Sequence, residues 1–114
     1  MIGFLRTLAG EAITSPVELP DGVSVVRGRW IPWIGGLFTG AGRSAAAVTI
    51  GTTIVVHPDV VLSTELVRHE LEHVRQWRNE GWRFPFRYAR LYARHGYRQN
   101  PYEVAAREAE QPTP

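Results

Sequence analysis

The sequence predicts an α+β domain in which a small antiparallel sheet or hairpin precedes three helices. Three observations carry this expectation. Short β-branched runs separated by turn residues dominate the chain before residue 58. From residue 62 the apolar positions change to a helical recurrence of about 3.6 residues. Gly81, Pro85, Gly96 and the pair Asn100-Pro101 then divide this second half into three segments.

Taken in order, residues 1–20 form an N-terminal segment. Its start, MIGFLRTLAG, reads as a short amphipathic helix and lacks the charged start, sustained apolar run and cleavage site of an export signal. Val23–Arg29 is a strand that follows the turn Pro20-Asp21-Gly22. Trp30–Gly42, rich in glycine among aromatics, reads as a loop or broken strand. Ala46–Ile50 and Thr53–His57 flank Gly51-Thr52 as a hairpin, and Pro58 ends it because proline cannot continue a ladder. Ser63 or Thr64 caps a helix reaching about Asn79, which Gly81 stops. A second helix runs from Pro85 to Gly96. A third opens at Asn100-Pro101 and reaches about Glu110, leaving residues 111–114 as a flexible tail.

A chain of 114 residues with 44% hydrophobic and 21% charged residues is sized and balanced for one domain, 1–114. It has no cysteine, which excludes disulfides, thiolate metal sites and cysteine nucleophiles. All 13 of its basic residues are arginine. With no lysine, Schiff-base and P-loop chemistry are excluded as well. No apolar stretch approaches the roughly 20 residues of a spanning helix, so the expectation is a cytoplasmic protein without a membrane partner.

The chemistry concentrates in His69-Glu70-Leu71-Glu72-His73. On a helix, residues four apart share a face, so two imidazoles can reach one zinc ion while the intervening glutamate stands beside it. Such a glutamate can act as general base toward water activated by the metal. A helical wheel places Glu70 within the apolar arc of Leu66, Val67, Leu71, Val74 and Trp77, with His69 and His73 at its edge. An unpartnered carboxylate there costs several kcal/mol, and a neighbouring metal accounts for its placement. Glu72 falls on the solvent side.

HExxH followed by a glutamate on a later helix resembles the gluzincin metallopeptidases. The hairpin just before that helix and the Asn100-Pro101-Tyr102-Glu103 segment after it make residues 46–110 similar to the minimal, single-domain members of that group. The resemblance implies a zincin-like fold and zinc-dependent hydrolysis of a peptide or unfolded protein. His69, His73 and Glu103 are then the zinc ligands, and Glu70 is the general base. An edge strand, Thr53–His57 (Thr53, Ile54, Val55, Val56) or Ala46–Ile50, holds the substrate extended. Where many gluzincins carry an aspartate that orients the first histidine, this chain has Arg107, so Glu108, Glu110 or a backbone carbonyl takes that part.

Glu103 has a second reading, because Asn100-x-x-Glu103 is also the spacing of a capping box. His95, then Glu108, follow as candidate third ligands. His95, Tyr97 and Tyr102 are candidate donors to a developing oxyanion, His95 being equally well a packed residue of the second helix. Residues 68–98 hold eight arginines against Glu70, Glu72 and Glu80. Arg87, Arg90 and Arg94, with Phe86, Tyr88 and Tyr92 between them, give an alternative reading as a nucleic-acid surface. A third reading is a zinc-binding scaffold without catalysis, in which the metal supplies folding energy.

Overall fold

The computed structural model describes residues 12–28 and 47–112. The expected N-terminal helix, the Trp30–Gly42 loop and the end of the tail lie outside them. Three strands, β1 (Ser24–Arg27), β2 (Ala47–Ile50) and β3 (Thr53–Val56), precede three helices, α1 (Thr64–Glu80), α2 (Arg83–Gln99) and α3 (Pro101–Ala109). The α+β arrangement read from the sequence, strands followed by three helices, is therefore present among the described residues, although the sheet is not the wholly antiparallel one expected.

β2 and β3 pair antiparallel through the two-residue Gly51-Thr52 turn, with Ile50 opposite Thr53 and Thr49 opposite Ile54. Gly51 sits at φ 62° while Thr52 keeps a negative φ, the backbone of a type II′ turn, whose first central position favours glycine. β1 joins the far side of β3 in parallel, so the sheet is mixed, with order β1-β3-β2. A parallel partner lies outside what alternation along a single strand can reveal. Along β1's outer edge, Ala12 bridges to Val26 and the Ile13 amide donates to the Val25 carbonyl.

This order corrects one expectation. Thr53, Ile54, Val55 and Val56 form the central strand, buried throughout and paired on both sides, so they cannot be the edge that receives a peptide. Among the described residues β2 is the edge on that side.

One sheet face, Val25, Ile54 and Val56, packs against Val74 of α1, with Leu71, Val60, Leu62 and Ile13 around it. The other face buries Val26 and Val55 with Val48 and Ile50 beside them. Ser63 caps α1, its Oγ accepting from the Leu66 amide at 3.1 Å, and the Gly81 amide closes the helix on the Trp77 carbonyl. α1 therefore presents one apolar face to the sheet. α3 packs against the same helix, and α2 contacts both.

α2 extends past the expected stop at Gly96, but that residue interrupts it with φ 78° and ψ 175°. This backbone region belongs almost wholly to glycine. The break turns the chain so that Asn100, fully buried, can start α3. Its Oδ1 accepts from the Tyr102 amide at 3.0 Å, and its Nδ2 donates to the Tyr88 carbonyl at 3.2 Å. No helix among the described residues is long and apolar enough to cross a membrane.

Candidate metal centre

His69, Glu70 and His73 are all buried on α1, with ligand atoms within 4.8 Å of one another, a group able to hold a metal ion. Their placement follows from the wheel: the arc that packs on the sheet carries Glu70 inward, and the two imidazoles fall at its border toward α3.

α3 completes the cluster. Glu103 Oε1 lies 3.0 Å from His69 Nε2 and 3.2 Å from His73 Nε2. Donors of a tetrahedral zinc with bonds of about 2.0–2.1 Å stand about 3.3–3.4 Å apart, close to this spacing. The capping-box alternative for Glu103 is not what the helix uses. Asn100 supplies the cap, its own amide donates to the Tyr97 carbonyl, and the Glu103 carboxylate faces the histidines.

The outer nitrogens are occupied in a consistent way. His69 Nδ1 donates to Glu110 Oε2 at 2.8 Å, and His73 Nδ1 donates to Gln76 Oε1 at 2.8 Å. Gln76 is oriented by its amide group, which donates to the Tyr102 carbonyl and to Glu72. With both Nδ1 atoms committed as donors, both Nε2 lone pairs point at a carboxylate oxygen. That arrangement is repulsive unless a proton or a metal cation stands between them, and it is the observation by which these residues fit a metal.

The titration behaviour expresses the same tension. Burial works against a charged His73, but Glu103 and Glu70 outweigh it and raise its pKa to about 9. His69 is raised for the same reasons, with Glu110 contributing. Burial opposes the ionised Glu103 carboxyl, yet the two histidines and Tyr88 hold it far below the usual carboxylate range.

Further side chains hold this centre. The Tyr88 hydroxyl donates to Glu103 Oε2 at 2.6 Å; burial and the Glu103 charge push its pKa far up, so it remains a donor. Tyr97, part-buried, is raised by burial and by Glu103 and Glu70. Thr49 Oγ1 donates to Glu70 Oε1 at 2.9 Å, leaving Glu70 Oε2 3.9 Å from His69 Nε2. Trp77 Nε1 donates to the Thr49 carbonyl at 3.1 Å.

Several expected residues lie elsewhere. His95 is exposed on α2, unlike the buried His69, Glu70, His73 and Glu103. The Tyr102 hydroxyl donates to Glu80 at 2.8 Å and not into the site. Glu108 is exposed, and Arg107 donates to the Arg98 carbonyl, which leaves the His69 partner to Glu110. Glu72 is not on the solvent side; its side chain is 13% exposed and accepts from Arg75 and Gln76. Arg87 pairs with Glu80 at 2.7 Å, while Arg90 and Arg94 are exposed. Gln76, Tyr88 and Thr49 carry no motif. Only the burial expected of positions beside the apolar arc or strand face could have drawn notice to them.

Residues 41–81 match the model of the eCIS core domain, named for the extracellular contractile injection system. The matched segment contains the hairpin, α1 and all of HExxH, and ends before Glu103. No curated protein and no solved structure matches the chain significantly.

Proposed function

We propose that the chain is a zinc-dependent peptide hydrolase. The observation that carries this reading is that His69 Nε2 and His73 Nε2 both lie within 3.2 Å of Glu103 Oε1, while the two histidines and Glu70 form a buried group able to hold a metal ion. Nitrogen and carboxylate donors at tetrahedral spacing suit zinc, and three protein ligands are the number that leaves a position open for chemistry. When bound, zinc supplies Lewis acidity, lowering the pKa of water to about 7 and polarising a carbonyl.

The side chains would divide the remaining work. Glu70 Oε2, the oxygen not taken by Thr49, removes the proton from the attacking water and delivers it to the departing amine. Tyr97 keeps its proton and can donate to the developing oxyanion. Gln76 and Glu110 keep the imidazoles in the Nδ1–H form that offers Nε2 to the metal. The edge of β2 is the place where an extended peptide would add by main-chain hydrogen bonds.

The test is metal analysis joined to peptide hydrolysis. About one zinc per chain is expected, with cleavage of an unfolded protein that Glu70→Gln abolishes while zinc stays bound. A zinc-loaded chain inert toward a broad peptide panel would sink the reading. The similarity to the eCIS core domain adds a setting to test, association with an extracellular contractile injection system.

A second reading is a zinc-clamped scaffold without turnover, and one observation favours it. Across the hairpin the Ile50–Thr53 pair closes the turn, so the Thr49 carbonyl faces outward from the sheet. That carbonyl is already bonded to Trp77, which removes an acceptor that an added peptide strand would use. Retained zinc without activity selects this reading.

A further inference from the structure

We propose that Thr49 is the positioning residue of Glu70, an inference that rests on the hydrolytic reading and names what holds its base in place. Glu70 is 4% exposed, and one of its oxygens must point at the metal centre while the other is kept from rotating there. Thr49 does the second. Thr49 is itself 8% exposed, and its Oγ1 lies 2.9 Å from Glu70 Oε1 against 3.3 Å from the Glu70 carbonyl, so the carboxylate is the nearer acceptor and water does not compete for that bond.

Thr49 is held at both ends of its own residue. As a β-branched side chain on a strand it has few χ1 states, and its backbone is fixed opposite Ile54 on one side and by the Trp77 indole on the other. The hydroxyl therefore reaches Glu70 from a rigid element and not from a loop. The consequence is geometric: β2 and the proposed base on α1 are joined through one residue. A valine there fills the same volume and buries as well, so only the hydroxyl carries the role.

The experiment compares wild type, Thr49→Val and Thr49→Ser, each loaded with zinc, on one fluorogenic peptide. Thr49→Val is expected to keep its zinc and its KM within about twofold while kcat falls by about tenfold or more, the loss of a hydrogen bond to a charged group. Thr49→Ser should recover most of kcat. Independent of turnover, the carboxylate stretching band of Glu70, identified by its loss in Glu70→Gln, should shift in Thr49→Val and return in Thr49→Ser. An active wild type with Thr49→Val equally active, or with KM and not kcat altered, overturns the positioning role alone. A zinc-loaded wild type without activity overturns the hydrolytic reading and this role with it, whatever the infrared band does.

Discussion

His69 Nδ1 and Glu110 Oε2 stand 2.8 Å apart across 41 positions of chain, joining the first turn and a half of α1 to the end of α3. Arg68, the neighbour of His69, reaches the Glu110 carbonyl at 3.4 Å from the same side. The candidate centre is thus closed by α3 and its C-cap, which bring Glu103 and the Glu110 partner of His69 against α1.

That contact makes Glu110→Gln and Glu110→Ala informative. A carboxylate behind a ligating imidazole raises its basicity and fixes its tautomer, and losing such a partner typically weakens metal binding by about 10–100-fold. Glu110→Ala should fall in that range and Glu110→Gln, which keeps an oxygen acceptor, should lose less. Competition for zinc against a chromophoric chelator measures both.

Glu103→Ala should be more severe than either, because it removes the proposed third ligand. It should not unravel α3, since the cap belongs to Asn100, fully buried and bonded to Tyr102 and Tyr88. The expected result is loss of stoichiometric zinc with helical circular dichroism retained in the cold. If Glu103 were a cap, the pattern would reverse, with zinc kept and helix content lost.

How far the site could be read from sequence depends on where its partners lie. HExxH is local: two histidines four apart on a helix meet whatever surrounds them, so His69, Glu70 and His73 were legible at once, as were the Ser63 and Asn100 caps, the Gly51-Thr52 turn and the stop at Gly81, whereas α2 starts and ends outside the expected Pro85–Gly96. Glu103 satisfied two local patterns together, and only the packing of α3 on α1 separates them. Tyr88, Gln76 and Thr49 act over 15, 3 and 21 positions, and at each the residue type alone is common on a packed face. The strand order was equally hidden. β3 and β2 alternate similarly, and it is the parallel arrival of β1 that buries β3 and leaves β2 at the edge.

The backbone at Gly96 gives a prediction independent of the metal. Nothing stands within 4 Å of a Cβ added there, so an alanine meets no clash, but φ 78° with ψ 175° remains almost closed to it. Gly96→Ala should therefore cost about 1–3 kcal/mol through the backbone alone. Urea unfolding of the zinc-loaded protein checks this as a lower midpoint with an unchanged slope. A midpoint equal to wild type would mean that the break between Tyr92 and Asn100 is not held.

The pH dependence of stability should change sign with the metal. In metal-free protein His73 has a folded pKa raised from 6.5 to about 9, so its contribution is complete below 6.5 and is lost as pH rises toward 9. Glu103 is depressed from 4.5, so its contribution is present above 4.5 and is lost as pH falls below it. Metal-free protein should thus be most stable between 4.5 and 6.5 and weaken from 6.5 to about 9. Zinc reverses the upper slope, because it needs the histidines without their Nε2 protons and binds more tightly as pH rises. At a hundredfold excess over its dissociation constant it adds about 2.7 kcal/mol, worth roughly 10–20 °C in a domain near 100 residues. Melting curves from pH 5 to 9, with zinc and with a chelator, should therefore diverge steadily. Parallel curves would show that the protons and the metal do not share these nitrogens.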